Sequence, residues 1–486
     1  MNKEKKEEIK LNVCPIVDCG RPTHKKSEYC IFHARPEEKK EEEFKKAIKE
    51  YIEKIKENNL DYNFKRFIFI GKINFEKEFK VNTFKNANFW NAVFKGDADF
   101  IEATFEGDAT NFIDITFDGN ACFERAVFKG DAGFIEATFE GTANFIDVTF
   151  EGNACFERAV FKGDADFIEA TFKGAIFNDN ADFGGTVFKG DVLFTGVIFK
   201  GTAYFWEETF EGDADFSNTV FESDPIFQGR TFKRKASFMN ATFKGDIGFM
   251  GATFKGNAYF SYATFSPGME LNLEVKNEGI ISFEHTFLEN VFLDLDLDNK
   301  VLIDFNDVLL RNTKIKKKQI ENHILQEKKE EFSKASEIYL SLKNNFHSIS
   351  RYEDESWAFK KEKDMERKNY FHFRTLHKWL WSCFLNGIFG YGEQPGKVII
   401  SAISIILIFT FLFMSSGISD TSIGGLSSKN FLDCIYFSTV TFTTLGYGDF
   451  RPLEGWGRIF AGTEAFIGAL MMALFVYTFA RRTGGR

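Results

Sequence analysis

The chain has 486 residues, of which 44% are hydrophobic and 27% charged, and its formal net charge is −10. A negative balance argues against a protein held on nucleic acid by phosphate neutralisation, and the length allows several domains. The first ten residues are charged and lack an apolar core, so they do not form a secretory signal. The seven scattered cysteines do not form a disulfide framework, which favours a reducing, cytosolic setting for the first 390 residues.

Three cysteines and a histidine lie close together near the N-terminus: Cys14, Cys19, Cys30 and His33. Zn²⁺ prefers four tetrahedral sulfur or nitrogen ligands, and short loops of this kind can wrap one ion. His24 is an alternative fourth ligand. No open coordination position or general base is evident, so the predicted zinc is structural. Residues 1–36 are similar to a small treble-clef-like zinc finger; the alternative is a reduced tail without metal.

The 63 phenylalanines are mostly periodic. From Phe84 to Phe265 they fall at alternating gaps of five and six residues, in a unit of roughly Ala-x-Phe-x-x-Ala-Thr-Phe-x-Gly-Asp. A short fixed period predicts a solenoid. An α-helical period would need apolar residues three and four apart, and a six-residue left-handed β-helix does not accommodate gaps of five.

The pattern Ala-(Asp/Asn)-Phe-x-x resembles the pentapeptide-repeat family. The resemblance implies an all-β, right-handed quadrilateral β-helix whose Phe and Ala side chains point inward. With two of the four faces lengthened by one residue, a coil takes about 22 residues, and the 182 residues from Phe84 to Phe265 make a rod of about 40 Å. Irregular flanks serve as caps. The rod is either a spacer or a specific surface for a cytoplasmic protein partner; its mixed charges do not favour nucleic-acid mimicry.

Charged helical segments flank this repeat. Upstream, residues 37–62 predict an amphipathic helix, because Phe44, Ile48, Ile52 and Ile55 recur at helical spacing. Downstream, residues 313–370 predict one or two solvated helices. Within them, Ser336 to Asn345 is similar to a helix that follows the solenoid in bacterial proteins combining pentapeptide repeats with a channel module. The segment is either a plain connector or a transmitter of force.

Two apolar stretches near the C-terminus, Val398 to Ile418 and Ile459 to Ala480, are long enough to cross a bilayer. The basic residues that flank one side predict, by the positive-inside rule, a multi-pass protein of the cell inner membrane or plasma membrane with both termini cytoplasmic. These residues are Arg374, Lys378, Lys397, Arg481 and Arg482. Before the first span, residues 371–390 mix Trp with basic residues and predict an interfacial helix, or the start of a longer first helix.

Phe431 to Thr443, between the spans, is too short to cross and predicts a half-helix whose C-terminal end points partial negative charge at the pore axis. Gly446 and Gly448 in the next segment permit an alternating backbone that turns successive carbonyls inward. Such carbonyls can replace the water shell of a dehydrated cation. The segment consists of Thr444, Leu445, Gly446, Tyr447, Gly448 and Asp449.

This segment matches the potassium-channel signature Thr-x-Gly-Tyr-Gly-Asp, and the resemblance to two-span potassium channels extends from Phe431 to Arg482. It implies K⁺ as the permeant ion, bound by residues 444–448, and a homotetramer, since two spans cannot enclose a pore alone. It also implies filter support by Asp449, Tyr436 and Val440, a hinge at Gly468, and a cavity lined by Ala469, Met472 and Val476. Val440 replaces the Glu of some bacterial channels, so filter inactivation is expected to differ, and Tyr436 could donate to Asp449 instead.

Glu464 is a carboxyl residue inside the second predicted span, where ionisable groups are functional hypotheses by default. The resemblance turns it toward the half-helix, where it would bond to the hydroxyl of Ser438 or Thr441. Its alternative role is in gating or proton sensitivity.

The sequence therefore predicts a multi-domain, non-enzymatic protein of a β-helix, a helical linker and a two-span pore domain, since no catalytic constellation occurs. The predicted function is a potassium-selective channel that its cytoplasmic β-helix gates or localises, with membrane lipid and further copies as partners. The alternative is a membrane-anchored interaction scaffold with a non-conducting or poorly selective cation pore. The predicted segments are 1–36, 37–62, 63–312, 313–370, 371–390 and 395–486.

Overall fold

The computed structural model describes residues 13–25, 27–172, 181–205, 209–370, 375–421 and 426–483, with side chains up to residue 480. The chain divides into two compact units, Met1–Lys329 and Glu330–Arg486. Three predictions fall partly outside the described residues. They concern residues 1–12 of the zinc-finger-like segment, residues 371–374 of the interfacial helix with Arg374, and the side chains of Arg481 and Arg482.

The first unit is a four-faced β-solenoid, as predicted, with short parallel strands stacked from coil to coil. Val127 pairs with Thr149 and Ala143 with Ala165, a step of 22 residues in each case. Val160 instead pairs with Val187, a step of 27, so this coil carries five extra residues and includes the undescribed stretch 173–180. The irregular flanks of the repeat also form coils. With eleven strands on a face, the rod is longer than expected, about 48 Å at sheet spacing.

In chain order each coil passes through sheets A, B, C and D. Sheet A consists of Ile68–Phe69, Val93–Phe94, Thr116–Phe117, Thr138–Phe139, Val160–Phe161, Val187–Phe188, Thr209–Phe210, Thr231–Phe232, Thr253–Phe254, Glu270–Val275 and Phe292–Leu297. Sheet B consists of Ile73–Asn74, Ala98–Asp99, Ala121–Cys122, Ala143–Asn144, Ala165–Asp166, Val192–Leu193, Ala214–Asp215, Ala236–Ser237, Ala258–Tyr259, Ile280–Ser282 and Leu302–Asp304. Sheet C consists of Thr83–Lys85, Thr104–Glu106, Val127–Phe128, Thr149–Phe150, Thr171–Phe172, Ile198–Phe199, Val220–Phe221, Thr242–Phe243, Thr264–Phe265, Phe287–Glu289 and Leu309–Arg311. Sheet D consists of Ala109–Asn111, Asp131–Gly133, Ala154–Cys155, Ala181–Asp182, Ala203–Tyr204 and Pro225–Ile226.

Ladders of phenylalanine fill the solenoid. Phe112 stacks on Phe134 of the next coil with ring centroids 4.8 Å apart and an interplanar angle of 1°. Phe123 meets Phe134 edge-on at 5.7 Å and 88°. Such aromatic pairs contribute about 0.5–1.5 kcal/mol each beyond the area they bury. The alternating gaps of five and six residues therefore place one aromatic ring over another along the whole rod.

A helical cap closes the N-terminal end of the solenoid. It comprises the 3₁₀ turn Pro36–Glu38 and helix α1, Glu41–Glu57, and it is followed by the short helix α2, Phe75–Phe79, in the first coil. The predicted apolar face of α1 is buried, and Phe44 lies edge-on to Phe69 of sheet A at 5.8 Å. Because this face covers the first coil, it shields a sheet end that would otherwise be open.

Two short helices close the other end: α3, Lys317–Ile320, and α4, Leu325–Lys328. Ile320 and Leu325 are buried, and Ile324 forms a β-bridge with Ile303 of sheet B. The sequence assigned these residues to the linker over 313–370, whereas the structure makes them part of the solenoid unit, which extends to Lys329. The stretch is rich in Lys and Glu, so its few apolar residues, which pack on the last coil, did not stand out as a cap in the sequence.

The second unit is helical. Helices α5, Phe332–Ser348, and α6, Tyr352–Asn369, pack against each other. Next come α7, Leu376–Phe389, the 3₁₀ turn Gly390–Gly392, α8, Pro395–Ser416, α9, Phe431–Phe442, and α10, Trp456–Thr483. Only α8 and α10 among the described helices are long and apolar enough to cross a membrane. The strands Ile418–Asp420, Leu426–Ser428 and Phe450–Pro452 form a small antiparallel sheet that the sequence did not predict.

Candidate functional site

Along the backbone that follows α9, residues with positive φ alternate with residues outside the left-handed region. Thr444, Gly446 and Gly448 have φ angles of 56°, 57° and 81°, whereas Leu445 and Tyr447 lie outside the left-handed region. Glycine adopts positive φ at no steric cost, but a threonine held there stores strain of about 1–3 kcal/mol. Alternation of this kind turns successive carbonyls toward one side. The segment thus has the backbone geometry that a row of carbonyl ligands requires.

The inner end of this segment is joined to the last turn of α9. The backbone N–H of Leu445 donates to the carbonyl of Val440 at 3.0 Å, and that of Thr444 donates to Thr441 at 3.1 Å. The Thr444 hydroxyl donates to the carbonyl of Thr443 at 2.7 Å, which leaves its oxygen lone pairs available. Val440, which by resemblance stands where some bacterial channels have Glu, is buried.

The outer end is held by the loop between α8 and α9. The backbone N–H of Thr421 donates to the Asp449 carbonyl at 2.8 Å, and its hydroxyl lies 2.7 Å from that oxygen and 3.0 Å from the Gly448 carbonyl. The Tyr436 phenol of α9 lies close enough to the Asp449 side chain to interact with it, which agrees with the pairing offered as an alternative from the sequence. Thr421 was missed by the sequence analysis, because nothing in the loop's composition marks it. The Thr421 hydroxyl, with one hydrogen to donate, thus lies within reach of both carbonyls and nearer to that of Asp449.

The second span approaches α9 closely at Gly468. A Cβ atom at this position would lie 1.9 Å from the Phe442 carbonyl oxygen, so only glycine fits. The three residues predicted to line a cavity, Ala469, Met472 and Val476, are all exposed on α10 in the single chain. Tyr447 of the alternating segment is 68% exposed. The surface that carries these side chains is thus open to neighbouring copies.

Glu464 lies one turn before Gly468 and is fully buried. Its Oε1 atom lies 2.5 Å from the Ser438 hydroxyl oxygen on α9, within hydrogen-bond distance. Its Oε2 has no partner among the described residues. The sequence analysis offered Ser438 or Thr441 as the partner, and the structure brings Ser438 to it.

The four predicted metal ligands converge in the N-terminal cap, with ligand atoms all within 4.8 Å of one another. The Nδ1 atom of His33 lies 3.4 Å from Cys14 Sγ and 3.3 Å from Cys30 Sγ, and the Cys19 and Cys30 sulfurs are 3.6 Å apart. Tetrahedral zinc separates such ligands by about 3.6–3.8 Å, so the cluster fits with small shifts. His24 is not part of it, and its Nε2 instead faces Glu43 at 3.6 Å.

The metal cluster is built into the cap. His33 Nε2 lies 3.3 Å from the Lys65 carbonyl, the type of outer contact that fixes a ligand's tautomer. Burial lowers the pKa of His33, which favours the neutral imidazole. Phe32, next to His33, stacks on Phe67 at 4.6 Å and accepts a hydrogen bond from the backbone of Ile68.

These features define a β-solenoid of phenylalanine-rich repeats followed by a two-span pore domain. Residues 399–484 match the family model described as "Ion channel". Four overlapping stretches, residues 112–159, 123–171, 145–207 and 172–220, and a separate fifth, residues 227–272, match the model for pentapeptide repeats. The chain therefore carries pentapeptide repeats and a C-terminal channel pore domain, as the sequence predicted.

Two curated proteins resemble part of the chain. The chain is 41% identical to "Two pore potassium channel a" of Oryza sativa subsp. japonica over an aligned stretch of 54 residues. This stretch covers 11% of this chain and 16% of that protein. Over 74 residues the chain is 32% identical to "Two-pore potassium channel 5" of Arabidopsis thaliana, which covers 14% of this chain and 18% of that protein. The chain thus spans less than a fifth of the length of these relatives. No solved structure matches it.

Proposed function

We propose that the chain is the subunit of a potassium-selective channel in which four copies surround one pore. The alternating backbone from Thr444 to Gly448 carries this proposal, because a membrane anchor has no need of a strained row of carbonyls. The carbonyls of residues 444–447 and the Thr444 hydroxyl bind dehydrated K⁺. The names of the two plant relatives, both potassium channels, support this choice of ion.

Four copies are needed because one copy presents its filter on an exposed surface. Leu445 and Tyr447 are 60% and 68% exposed in the single chain. Neighbouring copies would cover Tyr447 and close the ring of carbonyls. The positive-inside rule favours cytoplasmic termini, because Lys378 precedes α8, Lys397 lies in its first turn, and Arg481 and Arg482 follow the second span. The solenoid then lies on the cytoplasmic side of an inner or plasma membrane, where it gates or localises the pore.

Potassium flux from liposomes tests this function. Full-length protein reconstituted with a K⁺ gradient should release K⁺ in a barium-sensitive manner and release Na⁺ far more slowly. Gly446→Ala should abolish the flux, because the added Cβ strains the backbone at φ 57°, which glycine adopts at no steric cost, and so distorts the row of carbonyls. Gly462→Ala on α10, where an added Cβ meets no described atom within 4 Å, is the matched control and should conduct. Equal Na⁺ and K⁺ fluxes would refute selectivity, and flux in Gly446→Ala would exclude this segment as the filter.

We also propose that the N-terminal cluster binds one structural Zn²⁺ through Cys14, Cys19, Cys30 and His33. The donor set of three thiolates and one imidazole fits zinc, and no fifth ligand is needed. Protein purified without added metal should contain one zinc per chain. Cys30→Ser should lose it, whereas Cys122→Ser, which removes a solenoid thiol outside the cluster, should retain it. Equal zinc content in the two variants would place the metal elsewhere.

A further inference from the structure

Glu464 belongs to a hydrogen-bonded joint between three helices. The Ser438 hydroxyl of α9 lies 2.5 Å from Glu464 Oε1 on α10 and 2.9 Å from the Ile406 carbonyl on α8. A serine hydroxyl has one hydrogen to donate. If Glu464 is a neutral acid, its O–H donates to Ser438, which in turn donates to Ile406, and both short distances become hydrogen bonds. If Glu464 is ionised, Ser438 can donate to only one of the two oxygens.

The surroundings of Glu464 also disfavour a charge. Among the described residues, its Oε2 atom has no hydrogen-bond partner and no Lys, Arg or His forms an ion pair with it. Arg458, earlier on α10, is paired with Glu454. A buried carboxylate without a cation costs far more free energy than a buried neutral acid. The lack of a described cationic partner and the lack of a described donor to Oε2 are therefore both consistent with a protonated, neutral Glu464.

The other titratable groups on the packed elements are engaged elsewhere or neutral. On α9, Asp433 accepts a hydrogen bond from Ser428 at 2.6 Å, the Tyr436 phenol lies near Asp449, and Cys434 is a buried thiol. On α8, Lys397 donates to the Asn386 carbonyl at 2.9 Å. Glu464 is thus set apart from the acids and phenols at the outer mouth.

We propose that Glu464 is held as a neutral carboxylic acid whose O–H joins α10 to the half-helix that presents the filter, and that loss of this proton loosens the joint and reduces conduction. The inference rests on the proposed channel function for its conduction readout. The joint has a second contact one turn further on, where Gly468 meets the Phe442 carbonyl just before the filter. A negative charge at Glu464 would weaken its contact with Ser438. The helix α9, whose C-terminal end adjoins the filter segment, would then be held less firmly against α10.

Two measurements test the proposal. Potassium flux through the wild type should fall severalfold between neutral and strongly alkaline pH, whereas Glu464→Gln, whose amide N–H still donates to Ser438, should equal the wild type at neutral pH and lose none at alkaline pH. The same alkaline loss in Glu464→Gln would assign the titration to another group and overturn the proposal.

The second measurement does not depend on conduction. Infrared spectra of the reconstituted protein at neutral pH should show the carbonyl band of a protonated carboxyl group, and Glu464→Gln should lack it. Identical spectra would show that Glu464 is ionised and would overturn the proposal even if the channel conducts. If no variant conducts, the channel function fails, but the infrared difference still decides the protonation of Glu464.

Discussion

At the scale of single residues, the presence of glycine at position 468 can be explained in two ways. By resemblance it is a hinge of the inner helix, but the structure gives it a steric role, since its α-carbon lies directly against the Phe442 carbonyl. A glycine that serves only as a hinge tolerates a methyl group at the cost of stiffness. A glycine at a contact does not tolerate it, because the two helices must then separate.

We therefore expect Gly468→Ala to abolish potassium flux and to destabilise the folded pore domain by about 1–3 kcal/mol, the usual cost of overpacking. The result would run against helix propensity, which favours Ala over Gly by about 1 kcal/mol. Gly462→Ala, on the same helix and without an opposing atom, should gain that propensity and keep its flux. Thermal unfolding of the two reconstituted variants is the measurement. Equal stability in both would leave Gly468 as a hinge alone.

Much of the residue-level site could be predicted from the sequence. The resemblance implies that Glu464 faces Ser438 or Thr441, and the structure shows the contact with Ser438. The filter roles of residues 444–448 stay predictions. Thr421 could not be predicted, because its contact depends on how an irregular loop folds back through the small antiparallel sheet. Loops without periodicity carry no signal of that kind.

At the scale of elements, the solenoid depends on close packing at its corners as well as on its aromatic ladders. The repeat's glycines stack there: a Cβ atom on Gly141 would lie 2.8 Å from the carbonyl of Gly119 in the preceding coil. Gly133, in contrast, lies in a strand of sheet D, and an added Cβ there would meet its nearest atom at 3.5 Å. A side chain is therefore sterically excluded at Gly141 but can be accommodated at Gly133.

Gly141→Ala should accordingly destabilise the solenoid by about 1–3 kcal/mol, because neighbouring coils must move apart. Gly133→Ala should change the free energy of unfolding by less than about 0.5 kcal/mol, as most substitutions without a clash do. Denaturant unfolding of the full-length protein followed by circular dichroism checks both values. A Gly141→Ala variant as stable as the wild type would contradict the stacked-corner packing.

The order of the N-terminal cap, which carries the proposed zinc site, should depend on Zn²⁺. Chelation should accelerate hydrogen exchange in α1 and in the first coil, because His33 and Phe32 connect the cluster to Lys65, Phe67 and Ile68. The coil at Thr242–Phe243 and Thr264–Phe265, far along the rod, serves as the internal reference and should exchange at an unchanged rate. Uniform exchange in both regions after chelation would show that the cap does not need the metal.

One feature of the rod lay beyond sequence reasoning. Arg230 occupies a position that the repeat usually fills with Ala or Thr, yet it is fully buried. Its guanidinium donates to the carbonyls of Phe205, Thr186 and Phe183 and lies over the Phe210 ring. The periodicity predicts that this position points inward, but it does not predict that backbone carbonyls from two other coils would receive a charged side chain.

At the scale of the whole molecule, the order of the domains followed directly from changes of periodicity along the chain. The residue at which the solenoid unit ends could not be read from periodicity, because the capping helices α3 and α4 share the charged composition of the linker. The number of copies is a further prediction. Native mass spectrometry of the detergent-solubilised protein should give four chains, since four copies of residues 444–448 are needed to surround a cation with carbonyls. A stable monomer would exclude a shared pore.

The reversal potential under bi-ionic conditions tests the central claim most directly. With K⁺ on one side of a planar bilayer and Na⁺ on the other, the full-length protein should pass a current that reverses at a strongly K⁺-selective potential. The proposed selectivity would follow from the carbonyls of Thr444 to Tyr447, if they replace the water shell of K⁺ better than that of Na⁺. A reversal potential near zero, or no current from correctly assembled tetramers, would contradict the account.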